Sequence, residues 1–201
     1  MKEQQRKGSK GKKSIGSMIA IALIALVAYI FDLDSFFQDE DIQDGHIPVE
    51  LVKTVDGDTI QINYKGKKER VRYLLIDTPE IDHKNAQNTE ACALEATARN
   101  DALLKSGQVT IEFENEEARD NYDRLLAYIY VDGKSVQETL LEEGYARVAY
   151  VYDKNSKHLD QFNTAEKRAK DARKGVWAID GYVTNRGFNT DVLQNAQLPC
   201  Q

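Results

Sequence analysis

The chain has 201 residues, of which 41% are hydrophobic and 30% charged, and its formal net charge is −6 at pH 7. This length allows one sizeable domain with extensions but not two full domains, and the hydrophobic content excludes wholesale disorder. The acidic balance argues against passive binding of nucleic acid on a broad basic surface, yet it is compatible with an enzyme that has a local positive site and a divalent metal.

An apolar segment near the N-terminus predicts a membrane anchor. Residues 15–31 are uncharged and almost wholly apolar, and they follow a basic tail, residues 1–14. A helix of 17 residues is about 25 Å long, close to the hydrocarbon thickness of a bilayer. We expect an uncleaved transmembrane anchor, with a cleavable signal peptide as the alternative. The positive-inside rule places the N-terminus in the cytoplasm and the catalytic part outside the cell membrane, or secreted after cleavage.

The rest of the chain divides into three parts by composition. Residues 32–46 contain acidic side chains and no Lys or Arg, which predicts a solvated stalk. Residues 47–182 are the candidate globular domain, and the polar residues 183–201 predict a frayed tail. The two cysteines, Cys92 and Cys200, would lie in an oxidising setting. The sequence is compatible both with a disulfide between them and with unpaired thiols.

The globular domain begins with a run of predicted strands separated by Gly-containing turns. The predicted strands cover residues 49–55, 59–64, 70–76, 109–113 and 125–131. Apolar residues at helical spacing predict helices over residues 90–105, from 136 to a stop at Gly144 and from 159 to a stop at Gly175. Five strands with a helix after the third predict an α+β, mainly β fold. It would be a five-stranded OB-type barrel with about three packed helices, preceded by the transmembrane helix.

Acidic residues stand at the ends of two predicted strands that a strand meander would bring together. Asp58 follows the first strand, and Asp77 and Thr78 end the third, which Pro79 terminates. Two carboxylates, the Thr78 carbonyl and water would form an all-oxygen shell, which suits Ca²⁺ better than zinc. Taken alone, each acidic cluster also fits an ordinary turn.

Two arginines flank this acidic cluster. Strand alternation places Arg72 on the same face as Leu74 and Ile76, where a guanidinium needs a partner. The partner is either a nearby acid, in a structural ion pair, or the phosphate of a ligand. The planar guanidinium of arginine suits phosphate because it can form two parallel hydrogen bonds with it. Arg124 repeats the pattern at the start of the last predicted strand. The occurrence of both beside one candidate metal site favours phosphate binding.

Other hydrolytic chemistries find no support in the sequence. His46, His83 and His158 are scattered, without the spacing of a zinc site or a Ser-His triad. The chain also has no complete Gly-x-x-x-x-Gly-Lys-Ser/Thr phosphate loop. Water is therefore the expected nucleophile.

Several motifs between residues 51 and 177, roughly two thirds of the chain, resemble those of the staphylococcal (thermo)nuclease family. They are VDGDT at 55–59, RYLLIDTPE at 72–80, LAYIYVDGK at 126–134, VAYVY at 148–152 and GVW at 175–177. Their number and order make the resemblance specific. It implies a Ca²⁺-dependent endonuclease that acts on DNA and RNA and leaves 3′-phosphate ends.

The resemblance also implies roles for individual residues. Asp58, Asp77 and the Thr78 carbonyl resemble the family's calcium ligands. Glu80 resembles its proposed general base, and Arg72 and Arg124 resemble the arginines that grip the scissile phosphate. Tyr122 and Tyr150, with Tyr152 close by, resemble the nucleotide-pocket tyrosines, although packing in a core or hairpin explains tyrosines equally well. In one departure, Asp123 stands before Arg124 where Gly is common, and it could compete for that guanidinium.

A competing prediction is a non-catalytic OB-type module that binds nucleic acid or a partner at the cell surface. Such a module is expected to have lost some of the acids and arginines named above, and all of them are present. We therefore favour an enzyme with DNA and RNA as substrates. It would contact the lipid bilayer through residues 15–31 and act as a monomer without a protein partner.

Overall fold

The structure, a computed structural model, describes residues 45–195 and Cys200. The basic tail, the predicted anchor over residues 15–31 and nearly all of the acidic stalk lie outside the described residues. Within the described part, no helix is both long enough and apolar enough to cross a bilayer. The domain boundaries drawn from composition stay predictions.

Short strands dominate the described residues. They are β1 (Ile47–Pro48), β2 (Glu50–Thr54), β3 (Thr59–Tyr64), β4 (Lys67–Tyr73), β5 (Ile76–Asp77), β6 (Val109–Glu112), β7 (Ala118–Arg119), β8 (Leu125–Val131), β9 (Lys134–Ser135), β10 (Arg147–Val148), β11 (Val183–Thr184) and β12 (Gly187–Phe188). The α-helices of the same residues are α1 (Ala93–Leu104), α2 (Val136–Glu143) and α3 (Leu159–Asp171). The predicted mainly β, α+β class with three helices is confirmed, and it is consistent with an OB-type fold.

One sheet runs in the order β1-β6-β8-β4-β3-β2, with β7 and β9 paired to β8. Only Val49 separates β1 from β2, so one continuous stretch of chain pairs with β6 at its start and with β3 at its end. The Val49 N–H also donates to the Val109 carbonyl over 3.1 Å. This double pairing closes the sheet into a barrel.

The interior of the barrel is apolar and the helices cover it. Strand residues that alternate inward are fully buried, as Ile60 and Ile62 on β3 illustrate. Helix α2 adds Leu140 and α3 adds Phe162 to the same core. Burying a side chain of this size contributes about 1.5–3 kcal/mol, so the barrel is a rigid platform for the polar residues at its rim.

The helix ends follow local chemistry. Helix α2 begins because the Ser135 hydroxyl accepts the N–H of Glu138, and it ends at Gly144, whose φ of +82° suits glycine. Helix α1 begins at Ala93, three residues later than predicted, because Cys92 before it has a left-handed backbone with φ of +68°.

The predicted strand over residues 70–76 is wrong at its end. β4 stops at Tyr73, Leu75 adopts a left-handed conformation with φ of +63°, and β5 pairs with β10 instead of continuing along the barrel. The Leu74 N–H still donates to the Ala127 carbonyl over 3.0 Å, after which the chain turns away. Side-chain alternation from Arg72 to Ile76 therefore does not hold, and the break sends Asp77 towards β10.

The segment after Tyr182 packs against the domain, although its polarity suggested fraying. β11 and β12 form a hairpin, and Cys200 forms a disulfide with Cys92. The Tyr182 hydroxyl donates to the Ala91 carbonyl over 2.7 Å, and its ring lies 5.3 Å from that of Phe188. A second, smaller hydrophobic core forms there, beside the start of α1.

Candidate active site

A buried ion-pair cluster brings together three of the residues that the sequence singled out. Arg72 Nη1 lies 2.7 Å from Asp58 Oδ2, and Arg72 Nη2 lies 3.2 Å from Asp77 Oδ1. All three residues are more than nine-tenths buried. The acids of the two separate turns thus meet around one guanidinium.

The turn that carries Asp58 is fixed against the end of β5. The N–H and the hydroxyl of Thr78 donate to Asp58 Oδ2 over 2.9 and 3.1 Å. A Cβ added at Gly57 would lie 2.5 Å from Thr78 Oγ1, so glycine is required for this close approach. The approach of these two turns places the Thr78 backbone beside the Asp58 carboxylate.

Arg147, which the sequence analysis missed, holds the other side of Asp77. β10 places Arg147 opposite Asp77 in the ladder, and its Nε and Nη2 lie 3.0 and 2.8 Å from Asp77 Oδ2. Its guanidinium also lies over the ring of Phe188, at 5.9 Å. The available signal was an arginine between Ala146 and Val148, the same misfit in an apolar stretch that drew attention to Arg72.

The acids of this region are only partly neutralised. Burial raises the pKa of Asp58 to about 8, although Arg72 opposes the change, and Asp56 and Glu80 raise it further. Burial would lower the pKa of Arg72, but the charges of Asp58 and Asp77 raise it, so the guanidinium stays charged. The site therefore favours an additional positive charge.

The donor set fits a hard cation such as Ca²⁺. No three His, Cys, Asp or Glu side chains converge to hold a metal anywhere in residues 45–195 or at Cys200. The predicted set needs only two carboxylates, those of Asp58 and Asp77, with the Thr78 carbonyl and water in the other positions. All of these donors are oxygen atoms, as calcium prefers.

Glu80 lies near this cluster on the loop that leaves β5. Its side chain reaches solvent, but partial burial and then the charge of Asp56 raise its pKa. The Glu80 N–H donates to Glu90 Oε2 over 2.8 Å, and the Glu90 N–H donates to the Glu80 carbonyl over 3.0 Å. The loop is thus closed on itself just before Cys92 and its disulfide.

Arg124 is held by Asp120, not by Asp123 as the sequence suggested. Asp120 Oδ2 accepts Arg124 Nε over 2.7 Å, and Asp120 Oδ1 accepts the backbone N–H groups of Arg124 and Tyr122. Asp123 has a left-handed backbone, and its Oδ1 lies 3.5 Å from Nη1 of Arg119. The predicted competition from Asp123 is therefore wrong, and the acid that holds the Arg124 guanidinium is Asp120, four residues before it.

A cleft of about 570 Å³ joins the two arginines to Glu80 and the tyrosines. The three predicted tyrosines line it and are largely exposed: Tyr122 by 79%, Tyr150 by 54% and Tyr152 by 91%. This exposure excludes packing in a core, while Tyr122 lies in the turn of the β7–β8 hairpin. The guanidinium carbons of Arg124 and Arg72 each lie 5.5 Å from a ring centroid, of Tyr122 and Tyr150 respectively.

Two of the three histidines lie together, on a different part of the barrel. His158 Nε2 is 2.9 Å from Glu112 Oε2, and His46 Nε2 is 3.9 Å from the same oxygen. Neither histidine lines the cleft.

Comparison with known proteins defines the class of this chain. The family model of the staphylococcal nuclease homologue matches residues 70–179. The chain therefore belongs to the staphylococcal nuclease homologue family.

Individual relatives are similar over much of the chain. Endonuclease YncB of Bacillus subtilis (strain 168) is 53% identical over 143 residues, which cover 71% of this chain and 67% of the relative. SPbeta prophage-derived endonuclease YokF of the same organism is 52% identical over 71% of this chain and 48% of its own length. Thermonuclease of Staphylococcus hyicus is 28% identical over 83% of this chain and 98% of its own. The matched region thus spans about two thirds of YncB and about half of YokF.

Proposed function

We propose that the protein is a Ca²⁺-dependent endonuclease that hydrolyses phosphodiester bonds of DNA and RNA and leaves 3′-phosphate ends. The observation that carries the proposal is the cleft in which Arg72, Glu80 and Arg124 face one space beside the buried acids. The family membership agrees with it, and so do the names of the relatives, endonuclease and thermonuclease.

The chemistry of the proposed reaction follows from the position and charge of these groups. Glu80 accepts the proton of the attacking water, and its raised pKa makes it a better base than an ordinary carboxylate. Arg72 and Arg124 neutralise the charge that builds on the phosphate oxygens. Since arginine does not lose its proton in the accessible pH range, water protonates the leaving 5′-oxygen.

Asp58, Asp77 and the Thr78 carbonyl would hold the calcium ion. When bound, it supplies Lewis-acid polarisation of a phosphate oxygen. The exposed tyrosines offer flat faces on which bases of any sequence stack, which is consistent with broad sequence tolerance.

We place the enzyme at the outer face of the cell membrane, as a monomer anchored through residues 15–31. The apolar run of those residues and the basic tail before it support this location. The Cys92–Cys200 disulfide suits an oxidising compartment. Secretion after cleavage is the alternative.

Replacement of Glu80 tests the proposal. In a plasmid-nicking assay with Ca²⁺, Glu80→Gln should lower kcat by about 100-fold or more, because the base is lost while the shape of the side chain is kept. The matched control is Glu116→Gln, since Glu116 is exposed and has no ion-pair partner among the described residues. Equal rates for the two variants would refute the role of Glu80, and a wild-type protein that binds but does not cut would indicate a binding module.

A further inference from the structure

The cleft contains a third arginine that neither the motifs nor the proposed mechanism uses. Arg70 lines the cleft together with Arg72 and Arg124. It lies on β4, where it pairs with Gln61 of β3, and Arg72 two residues later pairs with Thr59. Residues two apart on a strand point to the same face, about 6.6 Å from each other. Arg70 therefore extends the row of positive charge that begins at Arg72, in the direction away from Asp77.

Arg70 differs from the other two arginines in having no acidic partner. Arg72 is paired with Asp58 and Asp77, and Arg124 is paired with Asp120. Arg70 forms no ion pair within residues 45–195, and its side chain is exposed. The neighbouring acid, Glu69, is taken up by Arg119 at 2.9 Å. The positive charge of Arg70 is thus free to meet an anion in the cleft.

Asp120, one of the two acids that line the cleft, is already engaged by other donors. It accepts hydrogen bonds from Arg124 and from the backbone of the same turn. Tyr122 follows it and presents an exposed ring. An exposed guanidinium and an exposed aromatic ring in the same cleft are the combination that binds the backbone and bases of a single nucleic-acid strand.

We propose that Arg70 forms a second phosphate subsite, which contacts a phosphate flanking the scissile one. The separation of Arg70 and Arg72 along β4 is comparable to that of successive phosphates on one strand. The inference rests on the proposed nuclease function and defines its substrate more narrowly. The enzyme selects a strand with at least two adjacent phosphates over a substrate with one isolated phosphodiester.

The test compares Arg70→Gln with a matched variant, Arg186→Gln. Arg186 is also exposed, has no ion-pair partner among the described residues and does not line the cleft, so both variants change the net charge equally. The substrates are short single-stranded oligonucleotides in which cleavage is measured at one central phosphodiester, from the lengths of the labelled products. The neighbours of this phosphodiester are either native phosphates or neutral methylphosphonates on the 5′ side, the 3′ side or both.

When the neighbouring phosphates are native, Arg70→Gln should lower kcat/KM about fivefold. This factor corresponds to the upper end of the free energies measured for exposed ion pairs. With a neutral group at the contacted position, wild type and Arg70→Gln should be equal. The slope of log kcat/KM against log salt concentration should become about 0.7 shallower in Arg70→Gln, because one contact to a single strand is lost. Arg186→Gln should behave as wild type throughout.

Equal values for Arg70→Gln and Arg186→Gln on the native substrate would overturn the subsite. So would a loss that persists when both neighbours are neutral. If wild type cuts none of the substrates, the proposed nuclease function fails, and fluorescence anisotropy of the same labelled oligonucleotides still decides the subsite. A selective loss of affinity in Arg70→Gln would then support it, and unchanged affinity would overturn it.

Discussion

At the scale of single residues, the candidate site consists of acidic and basic side chains that partly neutralise one another. Asp77 lies between Arg72 and Arg147, and Asp58 is buried with less positive charge than it needs. The sequence identified Arg72 because a charged residue stood in an apolar strand. It did not identify the partners, because these depend on which turns meet after the barrel closes, and no local spacing encodes that meeting.

Away from the cleft, Glu112 forms a second charged cluster whose effect on stability depends on pH. Burial would raise the pKa of Glu112, but hydrogen bonds from Lys157, His158 and Tyr130 outweigh it and lower the pKa. A carboxyl group whose pKa falls on folding stabilises the protein above its unfolded pKa. That contribution is lost as the pH falls through the folded value.

We expect Glu112→Gln to lower the free energy of unfolding by about 2 kcal/mol at pH 7, the scale of hydrogen bonds to a buried charged group. The difference from wild type should begin to shrink as the pH falls below about 4.3, where the carboxylate of the unfolded chain becomes protonated. It should go on shrinking towards the lower pKa of the folded state. Urea denaturation at a series of pH values measures this difference in the free energy of unfolding, with Glu116→Gln as the exposed control. A gap that stays constant down to pH 3 would disprove the linkage.

At the scale of elements, the strands and helices with clear apolar periodicity form close to where they were predicted. β3 and β8 match the predicted limits, residues 59–64 and 125–131. The break after Tyr73 was missed because the following apolar residues continue a strand-like pattern, while the backbone turns to pair with β10. The C-terminal hairpin was missed because tertiary contacts and a disulfide hold it, and its local sequence is polar.

The disulfide joins Cys200 to Cys92, which follows the loop that carries Glu80. Cys92 and Cys200 are separated by 108 positions, and closing a loop of that length stabilises a protein by about 4.7 kcal/mol on the entropic model. The bond fixes Cys92, which is two residues after Glu90. The carboxylate of Glu90 in turn accepts the backbone N–H of Glu80. Both the stability of the folded protein and the position of Glu80 should therefore depend on this disulfide.

Reduction with dithiothreitol should lower the free energy of unfolding by about 3 kcal/mol, since measured effects fall below the entropic limit. For a domain of this size, Tm should fall by about 6–12 °C. A Cys92→Ala, Cys200→Ala double variant should start at the lower Tm and show no response to the reductant. If wild-type Tm is the same with and without dithiothreitol, the disulfide does not contribute to stability in solution.

At the scale of the whole molecule, a closed barrel holds distant turns at one rim and thereby assembles the cleft. The class of fold could be predicted from strand count and helix placement. The residues of the site could be named through motifs and the family resemblance. Arg147 had a usable signal in its position between Ala146 and Val148. Asp120 and Glu90 had none, because each acts by holding another residue through a contact that exists only in the folded chain.

The most direct measurement is the rate at which the full-length protein cuts a single-stranded oligonucleotide in calcium and in EGTA, with the ends of the products analysed. Cleavage should require calcium, stop in EGTA, return when calcium is restored and leave 3′-phosphate ends, since the proposed reaction assigns a calcium ion to Asp58, Asp77 and the Thr78 carbonyl. Undiminished cutting in EGTA would remove the metal from the proposed reaction. No cutting under either condition would mean that these acids and guanidinium groups do not form a nuclease site.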